Sequence, residues 1–331
     1  MNLSMTRLIP NISGANRMLL VLVGALALAM PLFASHFYLR VFGMFFFALG
    51  LALSWNILGG YAGYWSFGHT VFIGVGAFSA GKLCLLLGPQ AGKPFLFIAG
   101  IFTGGLVSAL LALLLSYPLL RLRGIYFAIA MLGVAELGAE LSGNLDVIGG
   151  GMGLMLPVVV PEGIEPAVFF YYIFLLMAAV ILIICAKIKF SKFGYGLASI
   201  REDEDTAKMI GVPTETYKTF SFIISSTLIG MAGTIYGFYL GYFTTGSVIR
   251  VDFSLNMILH CLIGGIGTIA GPVVGAALMT FLTKVVLGRL LDVHILITGL
   301  LVITIVLAAP QGLVGTLAEI WTKRSRVLPE N

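Results

Sequence analysis

Charge is what this sequence has least of. Of its 331 residues, 19 are Lys or Arg and 14 are Asp or Glu, 10% in all, where soluble domains carry about 25%. So little charge excludes an ordinary soluble globule. With 59% hydrophobic residues and a mean hydropathy of +1.06, the chain reads as an integral membrane protein. The net charge of +5 includes no basic run with interleaved aromatics, so no nucleic-acid partner is expected. Cysteine is scarce too. Cys84, Cys185 and Cys261 lie far apart in apolar segments, which excludes a disulfide framework or a cysteine metal site. H-E-x-x-H, C-x-x-C and G-x-S-x-G are absent, and Gly81-Lys82 and Gly92-Lys93 lack the rest of a phosphate loop. No catalytic residue, metal or cofactor is expected.

Apolar runs are what the sequence has in excess. A bilayer core takes about 20 apolar residues as helix. Ten candidate spans fit: 18–36, 40–58, 67–87, 95–117, 124–142, 168–186, 219–243, 254–269, 272–288 and 293–309, with eight or nine as the lower count. The predicted fold is all-α, a polytopic transmembrane helix bundle forming one domain over 1–331. Runs this long exclude the alternating strands of an outer-membrane barrel. Arg7 and Arg17 precede Met18–Phe33 in the manner of a signal peptide, with Ala27-Leu28-Ala29 as a cleavage-like site, but with so many spans following it the segment reads as an uncleaved first helix.

Lys and Arg set the orientation. Arg7, Arg17, Arg121, Arg123 and the tail with Lys323, Arg324 and Arg326 fall inside, and 143–167, which lacks basic residues between Ser142 and Val168, falls outside as a periplasmic loop. Lys82, Lys93, Lys284 and Arg289 fit less well, because ten spans put them at the outer side, where their long stems snorkel.

Two glycine-rich segments break the helical pattern. One runs from Gly59 and Gly60 through Ser66, Gly68 and His69. The other holds Gly264, Gly265, Gly267, Gly271 and Pro272. Each joins two apolar runs with almost no room for a solvated loop. Non-helical backbone at membrane depth survives only when buried in protein or lining a wet cavity, and paired interruptions in two halves point to a translocation path. The plainer alternative is a pair of tight turns or close helix contacts. Glu136 and Glu140 share a face one turn apart in the fifth span, where a carboxylate is a functional candidate; Glu140 nears the outer interface, which favours a vestibule or structural role over a proton relay.

One stretch is densely charged. Between Lys187 and Lys218 lie 11 of the charged residues, including Glu202, Asp203, Glu204 and Asp205 in succession, so 187–219 is read as a cytosolic loop. Phe193, Leu197, Ile200, Ala207 and Ile210 recur at helical spacing, and Gly211-Val212-Pro213 supplies the stop, predicting one short amphipathic helix. Four consecutive acids are repelled by anionic lipid, so docking to a protein is the better reading.

Several stretches carry a family resemblance: Asn56–Gly63; Ser66-Phe67-Gly68-His69 with Gly74, Gly76 and Ala77; Gly124–Ala130 with Gly133 and Glu136; Phe193-Gly194; Ile200–Ala207 with Gly211; and Ile263–Thr268 with Gly271-Pro272. In these the chain resembles the M-type inner-membrane permease of the branched-chain amino acid (leucine/isoleucine/valine) ABC importers, from about residue 40 to 315. One departure is Ile148–Leu154, which lacks the polar side chains usual in that outer loop.

The resemblance implies a multi-pass protein of the bacterial inner membrane and a non-catalytic subunit. Ile200, Arg201, Glu202, Asp203, Glu204, Asp205, Ala207 and Gly211 would form the coupling helix, and the broken segments, with Glu136, would line the path. The implied partners are two cytosolic ABC ATPase subunits, a second permease of the same family, a periplasmic solute-binding protein and a small-molecule substrate. Relatives also move urea, short amides and other amino acids. The alternatives of another class are a stand-alone proton-coupled transporter using Glu136 and Glu140, or a channel.

Overall fold

The computed structural model describes residues 22–286, save 23, 146–148 and 150, and parts of 299–319. Its helices include α1 (His36–Asn56), α2 (Thr70–Leu87), α3 (Lys93–Leu119), α4 (Ile125–Asn144), α5 (Pro166–Lys189), α6 (Lys192–Glu202), α7 (Glu204–Met209), α8 (Thr214–Leu240), α9 (Thr245–Val248), α10 (Val251–Gly264) and α11 (Ala270–Phe281). Two-residue strands β1 (Leu154–Met155) and β2 (Tyr242–Phe243) pair antiparallel. The all-α bundle expected from the apolar runs is the fold.

Seven described helices are long and apolar enough to cross a membrane, and Ala270–Val285 is a shorter apolar helix. These eight match the expected spans from 40–58 to 272–288. Of the remaining two, 18–36 lies partly and 293–309 largely outside the described residues. One boundary moves: the span expected at 254–269 begins at Thr245 and contains a break at Ile249–Arg250 between α9 and α10.

Small residues bring the central helices together. A Cβ on Gly76 of α2 would stand 1.9 Å from the Gly230 carbonyl of α8, and one on Gly104 of α3 would stand 2.1 Å from Thr234 Oγ1. Backbones this close gain dispersion contact and let Thr234 Oγ1 donate to Gly76 O across the interface at 2.8 Å. The outer faces of α3 and α4 stay bare, with Leu114, Tyr117, Ile125 and Tyr126 each about 70% exposed. Such faces suit lipid or another membrane subunit.

Contacts sort the connections into two ends. Arg123, after α3, pairs with Asp205 of the charged island at 2.9 Å. At the other end the 143–167 stretch meets the end of α8 through β1–β2, and Glu165 pairs with His36.

Candidate functional site

The first broken segment follows α1 through a π-helical turn, Ile57–Tyr61. Its irregular backbone is held by side chains. Trp55 Nε1 donates to Ser66 O at 2.8 Å. His69 is wholly buried, with Nδ1 2.6 Å from Ser66 Oγ and Nε2 2.9 Å from Ser225 Oγ. Ser225 gives its one proton to Ser54 O at 2.7 Å. Nε2 must therefore be the donor to Ser225, which fixes the neutral tautomer with Nδ1 accepting from Ser66. The residue ties α1, α2 and α8 together. Gly68 packs on the backbone of α4, where a Cβ would stand 2.1 Å from Met131 O.

The second broken segment meets the first, although 200 residues separate them. Asn56 Nδ2 donates to Thr268 O at 2.8 Å, and Asn56 Oδ1 accepts from Gly267 N at 3.0 Å. One amide side chain thus pairs with the backbone of Gly267-Thr268 on both sides. Two cations complete the joint. Lys189 Nζ, at the end of α5, donates to Gly267 O, and Arg201 Nη1, at the end of α6, donates to Gly60 O, each at 2.8 Å. Glycine is required where they converge: a Cβ on Gly60 would stand 1.8 Å from Asn56 Oδ1, and one on Gly267, whose φ is +75°, would stand 2.2 Å from Arg201 Nη1. Thr268 Oγ1 donates to Gly265 O and accepts from Gly271 N, both at 2.8 Å, closing the turn into α11. Gly264 and Pro272 are buried beside that turn.

The island differs from the single helix expected. It is two helices, α6 and α7, broken at Asp203, whose backbone is extended (φ −160°, ψ 118°). Ser191 caps α6 by accepting from Gly194 N, and Asp203 caps α7 by accepting from Thr206 N at 2.6 Å. Ile210 is not on the buried side with Leu197, Ile200 and Ala207 but 69% exposed. Gly211, at φ +87°, ends α7.

Three of the four consecutive acids serve the chain itself. Asp203 is a cap. Glu204 is buried and accepts from Tyr64 Oη at 2.6 Å and from Lys218 Nζ at 2.8 Å. Lys218, also buried, donates as well to Leu120 O. Asp205 receives both Nη atoms of Arg123 at 2.9 Å. Burial alone would raise the Glu204 carboxyl, but the bonds from Lys218 and Tyr64 outweigh it and hold it below the ordinary carboxylate range. The Arg123 fork lowers Asp205 likewise.

The expected residues therefore fall into three groups. Gly60, Gly267 and Arg201 meet in one hydrogen-bonded joint, with Gly59, Gly264, Gly265, Gly271 and Pro272 around it. Ser66, Gly68 and His69 sit in the core beside it. Glu136 stands exposed on α4, outside the joint. Asn56, Tyr64, Arg123, Lys189 and Lys218 were not foreseen as parts of the site. Asn56 was legible as the polar residue that opens the broken segment; the two lysines read as solvated members of the charged island.

Helices that cross a membrane, irregular glycine-rich backbone buried among them and a charged platform fixed to that backbone define a polytopic membrane transport component. Residues 37–308 match the family of branched-chain amino acid transport system permease components, and the chain belongs to that family. It is 25% identical to the high-affinity branched-chain amino acid transport system permease protein LivM of Escherichia coli K12, over 92% of this chain and 77% of that one. It is 23% identical to a probable LivM of Methanocaldococcus jannaschii, over 76% and 80% respectively. The permease protein LivH of Escherichia coli is 22% identical over 39% of this chain and 41% of its own. No solved structure matches.

Proposed function

We propose that this chain is the membrane-embedded, non-catalytic permease subunit of an ATP-driven importer in a bacterial inner membrane, carrying branched-chain amino acids or closely related small solutes. In this reading it works with a second permease of its family, two cytosolic ATPase subunits and a periplasmic solute-binding protein. The observation that carries it is the attachment of the island. Arg201 and Lys189 reach from the charged loop to Gly60 and Gly267, and Asn56 joins the two broken segments, so a push on α6–α7 moves both at once. On its free side the island presents Tyr195, Met209 and Ile210, 65%, 86% and 69% exposed, beside Glu202. Apolar anchors beside a charge suit a small docking interface.

Ala207 is 1% exposed, buried within the chain itself, so its small size serves internal packing first. The docking test therefore belongs at Met209 and Ile210. Met209→Glu with Ile210→Glu should leave the permease in the membrane, remove the ATPase from the purified complex and abolish uptake. Unimpaired uptake by this variant, with no ATPase purifying alongside, would favour the proton-coupled alternative. Against that alternative, Glu136 and Glu140 are exposed on α4 and not enclosed in a relay.

A further inference from the structure

Among the described residues one ion pair lies far from the island and deep in the bundle. Arg250, the residue before α10, pairs with Asp252 in its first turn; their side chains are 56% and 61% exposed. Their depth follows from Thr70. The Thr70 hydroxyl donates to Arg250 O at 2.8 Å and accepts from Arg250 N at 3.1 Å, and Thr70 N donates to Ser254 Oγ at 3.0 Å. Thr70 follows His69, which meets Ser225 of α8. Ser225 lies about 17 Å from one end of α8 and about 22 Å from the other, at 1.5 Å per residue. Arg250 is thus pinned near the middle of the bundle, with Val248 and Ile249 buried just ahead of it.

An exposed Arg–Asp pair at that depth does not face hydrocarbon, where each charge is disfavoured by about 3 kcal/mol or more. It faces a wet path or a neighbouring subunit. Phe253, whose backbone N donates to Arg250 O at 3.0 Å, ties the pair to Tyr236 and Phe47. Tyr236 belongs to an aromatic wall, stacked on Phe47 at 4.6 Å and edge-on to Phe253 at 5.7 Å. We propose that Arg250 and Asp252 form a transient site for a zwitterionic α-amino acid on the translocation path. Arg250 takes the carboxylate, Asp252 takes the ammonium, and the aromatic wall receives an aliphatic side chain. Without substrate the two neutralise each other, which keeps the resting site at low net charge. The proposal rests on the amino-acid permease reading and assigns that reading a place in the chain.

The test is chemical protection in the full-length chain, in native membranes with its partner subunits. Phenylglyoxal modifies accessible arginines, and peptide mass spectrometry reads residue 250. We expect Arg250 to be modified, and L-leucine to slow its modification at least threefold while 3-methylbutylamine, which lacks the carboxylate, does not. Equal rates with and without leucine would overturn the proposal. So would an Arg250 that resists modification altogether, because the pair would then be sealed against another subunit. In a second measurement, Arg250→Gln should lower leucine uptake at least tenfold with complex assembly intact, and Arg250→Lys should restore part of it; wild-type uptake by the glutamine variant also overturns the assignment. ATP-dependence of wild-type uptake tests the permease reading separately, so the two failures are distinguishable.

Discussion

At the scale of single residues, the joint depends on a few polar side chains that bind backbone. Asn56 satisfies a carbonyl and an amide that helix or sheet would otherwise pair, and an unpaired buried group is disfavoured by about 1–3 kcal/mol. Asn56→Leu should therefore destabilise the purified protein by about that much and reduce uptake far more than Asn144→Leu at the exposed end of α4, as a thermal melt and an uptake assay would show. Glu204 makes a second residue-level prediction. Without it the buried Lys218 ammonium keeps only the exposed Glu215 carboxylate, 3.6 Å away, so Glu204→Gln should weaken the island's attachment by roughly 3 kcal/mol. The carboxyls of Glu204 and Asp205 are depressed in the folded protein. Their stabilisation is then complete above the ordinary carboxylate pKa of about 4 and is lost as pH falls through the lowered values. Protease nicking of the island in wild type should rise only below about pH 4, and in Glu204→Gln it should be high already at neutral pH.

At the scale of elements, the spans and both interruptions were legible because membrane helices declare themselves by length and glycine breaks are few. The division of the island was not. Asp203 reads equally well as one more acid on a solvated helix face or as a cap, and only the position of the Thr206 amide decides. The inward turn of Arg201 and Glu204 was hidden for a related reason: their partners, Gly60 and Tyr64, lie about 140 residues away in sequence. The second interruption allows a sharp prediction. Gly265 has φ +128°, in the region an L side chain rarely adopts, whereas Ala276 is a buried helical position in α11. Gly265→Ala should reduce uptake at least tenfold at normal expression, while Ala276→Gly should leave most of it. Equal activity of the two would mean that the segment is a plain turn.

At the scale of the whole molecule, thiol labelling reads the orientation. Gly163 and Met209 are both exposed and lie at opposite ends of the bundle. The natural cysteines are all buried, so introduced ones should stand out against them. Gly163→Cys should react with an impermeant thiol reagent on intact cells, and Met209→Cys only after permeabilisation; labelling of both from one side would overturn the arrangement. The joint itself bears on how the protein is made. Asn56 finds its partners 211 and 212 residues further along the chain. At a synthesis rate of about 5–20 residues per second, roughly 10 to 40 seconds pass between the insertion of one and the arrival of the other. For that time the Asn56 amide sits in the bilayer without the backbone groups it pairs with. A ribosome stalled before Gly267 would leave it so permanently, and the half-made protein would depend on the insertion machinery to shelter it.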